Sequence, residues 1–153
     1  MTAATISHRW SLIRIAAIAS AVVVIAAAFM TWVKAEVLII TLSVNGMDRD
    51  GPYTAALAAA IVVAILASVY TSLSSRYAFT AIAICGAMIA LIGFLTWIDV
   101  EGAVDVDGTE LESSPFISVS PQAGLVMTTV GGIVAAALGL AGVRLEAAPE
   151  PPG

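Results

Sequence analysis

Charged side chains are scarce in this sequence, at 11% of 153 residues, where a soluble domain carries about 25%. By length alone the chain would be one domain, but so few charges cannot cover a water-exposed surface. Lysine occurs once, at Lys34, and the formal net charge is −5. That balance offers no basic patch and argues against a nucleic-acid partner. Cys85 is the single cysteine and His8 the single histidine. One cysteine inside an apolar run forms no intramolecular disulfide and no cysteine-based metal cluster, so it reads as a small core residue. One histidine in an N-terminal tail reads as solvated, and multi-histidine metal sites and histidine-based catalysis fall away.

What the chain has in abundance is apolar: 60% of residues are hydrophobic and the mean hydropathy is +1.02. These residues gather in four runs, at 10–33, 54–73, 77–98 and 123–143. Each reaches the roughly 20 residues needed to cross about 30 Å of hydrocarbon as a helix. Helix is required because lipid offers backbone groups no partner outside a helix or a closed barrel, and the runs lack the alternation of barrel strands. The expected fold is therefore an all-α membrane protein, a four-helix transmembrane bundle. The first run has a basic start (His8, Arg9) and an Ala26-Ala27-Ala28 stretch that resembles a cleavage site. Its apolar core, however, is too long for a signal peptide and continues through Phe29, Met30 and Trp32.

The Lys and Arg residues set the expected orientation. Arg9 and Arg14, Arg76 and Arg144 lie on the N- and C-terminal side, against Lys34 and Arg49 in the other two connections. Both termini are thus expected in the cytoplasm of a multi-pass protein of the cell membrane. Segment 1–9 forms a tail, 34–53 a first outer loop, 74–76 a cytoplasmic turn, 99–122 an acidic second outer loop and 144–153 a disordered tail. Arg14, about one turn inside the first run, is expected to snorkel to the headgroups. Trp10, Trp32 and Trp97 are the expected membrane anchors.

The sequence also matches itself. Phe29-Met30-Thr31-Trp32-Val33-Lys34-Ala35-Glu36 returns as Phe94-Leu95-Thr96-Trp97-Ile98-Asp99-Val100-Glu101, at an offset of 65. Each copy precedes an Asp-x-Asp-Gly turn, Asp48 to Gly51 and Asp105 to Gly108. This pattern predicts two parallel hairpin repeats, as in some transporters. Small residues at four-residue spacing predict close helix packing: Ala56, Ala60 and Ala64 in the second helix, Gly131, Ala135 and Gly139 in the fourth. In the loops, the β-branched segment 36–44 and the segment Phe116 to Pro121 read as strands, with Asn45-Gly46 as a tight turn. Together they predict a small extracytoplasmic β-sheet from loops 1 and 2.

Asp105 and Asp107, with Gly108, partly match a calcium loop. With that glycine at the sixth position, the first and twelfth ligand positions fall on Ala103 and Ser114, so specific calcium binding is not expected. The overall ordering resembles a broad group of uncharacterised small four-span membrane proteins of bacteria and archaea. It is similar in outline to the actinobacterial tryptophan-associated membrane proteins. Trp32, Asn45 to Gly51, Trp97 to Asp99 and Pro121 to Gly132 carry that resemblance, which implies no catalytic residues and no cofactor. Claudins share the outline, but their paired loop cysteines and Gly-Leu-Trp motif are absent.

The expected function is non-enzymatic: an accessory or scaffold subunit whose partners are the lipid bilayer and a membrane protein or further copies of itself. The alternative is a small transporter or channel, with Thr80, Thr128 and Thr129 as its polar candidates. An intramembrane enzyme ranks last, with Asp99 the residue to test, because no histidine accompanies the carboxylates.

Overall fold

The computed structural model describes residues 3–37, 40–71, 74–99 and 117–147. The chain forms helices α1 (Ala3–Ala28), α2 (Gly51–Tyr70), α3 (Ser75–Ile98) and α4 (Ala123–Ala147). Strands β1 (Thr31–Val37), β2 (Ile40–Asn45) and β3 (Ile117–Pro121), with a 3₁₀ turn at Gly46–Asp48, lie between them. Each helix contains a stretch of 19 to 25 residues long and apolar enough to cross a membrane. At 1.5 Å per residue, such a stretch spans about 30 Å.

Local chemistry sets the helix ends. Pro52 occupies the first turn of α2, where a missing N–H costs nothing. Ser74 caps α3 by accepting from the Arg76 N–H at 3.4 Å. Arg144 lies in the last turn of α4, where a cation complements the helix dipole. In α1 the Phe29 and Met30 N–H groups reach back three residues, to Ala26 and Ala27, and tighten the end. The Trp32 indole then donates to the same Ala27 carbonyl at 2.9 Å, as a second donor on an oxygen that can accept two.

Each helix packs on two others, α1 on α2 and α4, and α3 on α2 and α4. The shared core joins Ala17, Ala21, Val24, Ala58, Ile61, Ile65, Phe79, Ile82, Ile89 and Ala135. Phe79 also meets the Trp10 ring, with centroids 5.2 Å apart. Glycine allows the α3–α4 seam to close. A Cβ at Gly132 would lie 2.5 Å from the Ala90 nitrogen and 2.9 Å from the Gly86 carbonyl oxygen. Across from α1, Gly131 receives Val24, and a Cβ there would stand 2.6 Å from its Cγ2. The Ser20 hydroxyl donates to the Gly131 carbonyl at 2.7 Å. Gly131, Ala135 and Gly139 are all buried.

The second helix differs from its expected packing. Its buried face is Gly51, Thr54, Ala58, Ile61 and Ile65, whereas Ala56 and Ala60 are exposed and Ala64 is half-buried. Moving from 56 to 58 rotates the helix face by about 200°. The physical reason lies in the partner: α1 presents Ala17 and Ala21, so the bulky side of α2 fills the space between them.

The small sheet is present, three-stranded and antiparallel, in the order β2-β1-β3. It begins five residues earlier than the sequence suggests and takes two strands from the first loop. The first helix ends at Ala28, not at Val33, and begins inside the expected tail. Asn45-Gly46 opens the 3₁₀ turn, while residues 38–39, between β1 and β2, lie outside the described residues.

Candidate functional site

Polar side chains gather at the two ends of the bundle. At the sheet end, Arg49 bridges to Asp99 at 3.2 Å, tying the start of α2 to the end of α3. Next to it the Thr96 hydroxyl donates to Asp50 at 3.1 Å and to the Ile92 carbonyl at 2.9 Å. Asp50 therefore stands at the α2 N-cap position with its carboxylate spent on another helix rather than on its own N–H groups. The second guanidinium nitrogen of Arg49, Nη1, is buried without a hydrogen-bond partner among the described residues. Sequence reading missed both links because they join residues about fifty apart. The visible signal was that Asp50 and Asp99 sit at facing helix ends. Asp99 is thus a surface ion-pair partner, its side chain 64% exposed.

The sheet sits on the bundle through Trp32, Val33 and Leu125, with Val44 alongside. A register shift between Thr31 and Val33 marks a bulge at Trp32, the device by which an extra residue re-aims a side chain. The Gly46 N–H donates to Met30 O at 3.0 Å and the Gln122 N–H to Trp32 O at 2.8 Å. Trp32 is 1% exposed. It is a buried wedge between sheet and helices, at a position the sequence reads as a membrane anchor. Trp97, at 44% exposure, stands on the outside of α3, and Trp10 is half-buried against Phe79.

Three threonine hydroxyls of α3 and α4 are occupied within their own helices. Thr80, Thr128 and Thr129 donate to the carbonyls of Arg76, Gly124 and Leu125, each four residues back in its own helix. Such bonds consume the donor without creating a path for a solute. No group of three or more His, Cys, Asp or Glu residues able to hold a metal occurs among the described residues. Asp105 and Asp107 lie outside them. On β1, Lys34 pairs with Glu36 at 2.7 Å. That ammonium holds the Glu36 carboxyl below its ordinary range, by hydrogen bond first and by charge second.

Clefts open on the surface among the described residues. One, of about 370 Å³, runs between α2 and α3 and is lined by Tyr53, Ala56, Leu57, Met88 and Ile92. Another, of about 560 Å³, lies at the opposite end and includes Trp10, Arg14 and Ser75. The Arg14 guanidinium donates to the Ser75 hydroxyl at 3.1 Å.

The matched octapeptides take different structures. Thr31 to Glu36 is strand, whereas Thr96 to Ile98 continues α3 as helix. In comparisons with protein-family models, curated proteins and solved structures, nothing matches the chain.

Proposed function

We propose that this chain is a non-enzymatic multi-pass membrane protein, an accessory or scaffold subunit acting through its helix faces and outer sheet. Both termini face the cytoplasm, an orientation supported by the distribution of Lys and Arg. The observation that carries the reading is the outward face of α2. Ala56 and Ala60 are exposed there, and Ala56 lines an apolar cleft with Tyr53, Leu57, Met88 and Ile92. In lipid, helices associate through small residues that allow close approach. The Gly131, Ala135 and Gly139 stripe of α4 is buried within the bundle, whereas this α2 face is open to another helix.

Mild-detergent purification followed by mass spectrometry tests it. A stoichiometric larger complex, lost when Ala60→Leu closes the exposed face, is the expected result. A lone homo-oligomer with solute flux in proteoliposomes would replace the reading with transport. Tags on the two termini that label from opposite sides of the membrane would overturn the orientation.

A further inference from the structure

The cleft at the N-terminal end of α1 combines two unlike surfaces. Ile15, Ile18, Leu66 and Val69 form apolar walls. Ser11 and Arg14 of α1, Ser75 of α3 and Glu146 of α4 supply its polar lining. Arg14 is one turn deeper than Trp10, about 6 Å along the helix axis. Both charges line one cavity of about 560 Å³, yet they do not pair. The ion pairs among the described residues are Lys34–Glu36 and Arg49–Asp99. Arg14 spends one N–H on the Ser75 hydroxyl, which keeps its own proton to donate.

A half-buried charge beside hydrocarbon is costly unless something of opposite sign satisfies it. Here one cavity leaves a cation and an anion apart, each without an ionic partner among the described residues. The ligand that answers both is a zwitterion with an apolar tail. We propose that this cleft holds one ethanolamine phospholipid. Its phosphate sits on Arg14 and Ser75, its ammonium on Glu146, and an acyl chain lies along Ile15, Ile18, Leu66 and Val69. Guanidinium suits phosphate because several N–H donors converge on its oxygens. The primary ammonium donates to the carboxylate, which a choline headgroup cannot do. A glycerol headgroup brings no cation and leaves Glu146 facing the phosphate. The expected preference is ethanolamine, then choline, then glycerol. This inference rests on the membrane reading above.

Native mass spectrometry of the full chain in detergent, titrated with phosphatidylethanolamine, phosphatidylcholine and phosphatidylglycerol of matched acyl chains, tests the assignment. The wild type should bind the ethanolamine lipid about tenfold more tightly than the glycerol lipid, the value of one charge-assisted contact. Glu146→Gln should abolish that preference while keeping lipid bound. Arg14→Gln should weaken all three lipids by about tenfold, whereas Arg144→Gln, an exposed cation near the same end, should change nothing. Val69→Trp, which fills the cleft and leaves both charges in place, should lower binding of all three. Equal binding of the three lipids by the wild type, or an ethanolamine preference that survives Glu146→Gln, would overturn the assignment. Alkaline carbonate extraction keeps the two claims separate. A chain released into the soluble fraction overturns the membrane reading and this inference with it. A chain retained in the membrane pellet that shows no lipid preference overturns this inference alone.

Discussion

Two octapeptides of this chain share Phe, Thr, Trp and Glu at the same spacing, yet the tryptophan of one lies in a strand and that of the other in a helix. Trp32 is buried and its indole closes α1 at Ala27. Trp97 stands exposed on α3, whose last turn is closed instead by the Asp99 N–H donating to Leu95 O at 3.0 Å. What differs is the surroundings. Gly46 and Gly124 leave room for the Trp32 ring, and a Cβ on Gly124 would lie 2.9 Å from its Cδ1. Local sequence offers the same aromatic at the ends of two helices, α1 and α3, and tertiary space decides whether it becomes a wedge or a surface side chain.

The largest test of that contrast is to remove each indole. Trp32→Ala should cost about 3–5 kcal/mol, the usual loss for a buried large aromatic. Trp97→Ala should fall within about 0.5 kcal/mol of wild type, as surface changes do. Unfolding in detergent, followed by near-ultraviolet circular dichroism, measures both, and equal losses would break the distinction. Next in size is the slot itself. Gly124→Val places a Cβ 2.8 Å from Thr31 O and should cost about 1–3 kcal/mol by overpacking. A smaller effect separates the two threonines. Thr96→Val removes the hydrogen bond to Asp50 and should cost about 1 kcal/mol. Thr31→Val should leave stability unchanged, because its contact with Asn45 is exposed and 3.5 Å long.

The smallest effect belongs to Glu36, whose counterpart Glu101 lies outside the described residues. The Glu36 carboxyl is held below its ordinary value of 4.5 by Lys34. A lowered folded-state value means that its contribution is present above pH 4.5 and lost as pH falls through the folded value. Melting curves of wild type and Glu36→Gln should therefore converge as pH falls below 4.5, and about 0.5 M salt should narrow the gap at pH 7. A gap that widens in acid would reverse the sign of the pairing.

The four helices were legible because length and hydropathy are read over twenty residues at a time, and no local detail competes with them. The strands were legible from β-branched runs such as Ile39 to Val44. The end of α1 was not, since Phe29 to Val33 is as apolar as the helix before it. The glycines that accommodate its Trp32 ring, at 46 and 124, are distant in sequence. The packing face of α2 was hidden for a different reason. Ala55, Ala56, Ala58, Ala59, Ala60 and Ala64 put small residues on several faces of one helix, so spacing alone selects none. In α4, by contrast, Gly131, Ala135 and Gly139 lie on one stripe, and there spacing and burial agree. The cleft with Arg14 and Glu146 joins residues from opposite ends of the chain, a proximity no linear pattern encodes.

The sheet order β2-β1-β3 has a consequence for assembly during synthesis. Its middle strand ends at residue 37 and the strand that covers one side begins at residue 117, so 79 residues (38–116) separate them. Until the last outer segment emerges, β1 offers an open row of backbone donors and acceptors, which is a template for any extended segment nearby. A chain stopped after α3 should therefore capture the strand of a neighbouring copy. Blue-native electrophoresis of that truncation should show dimers, which disappear when a peptide spanning residues 116–122 is supplied.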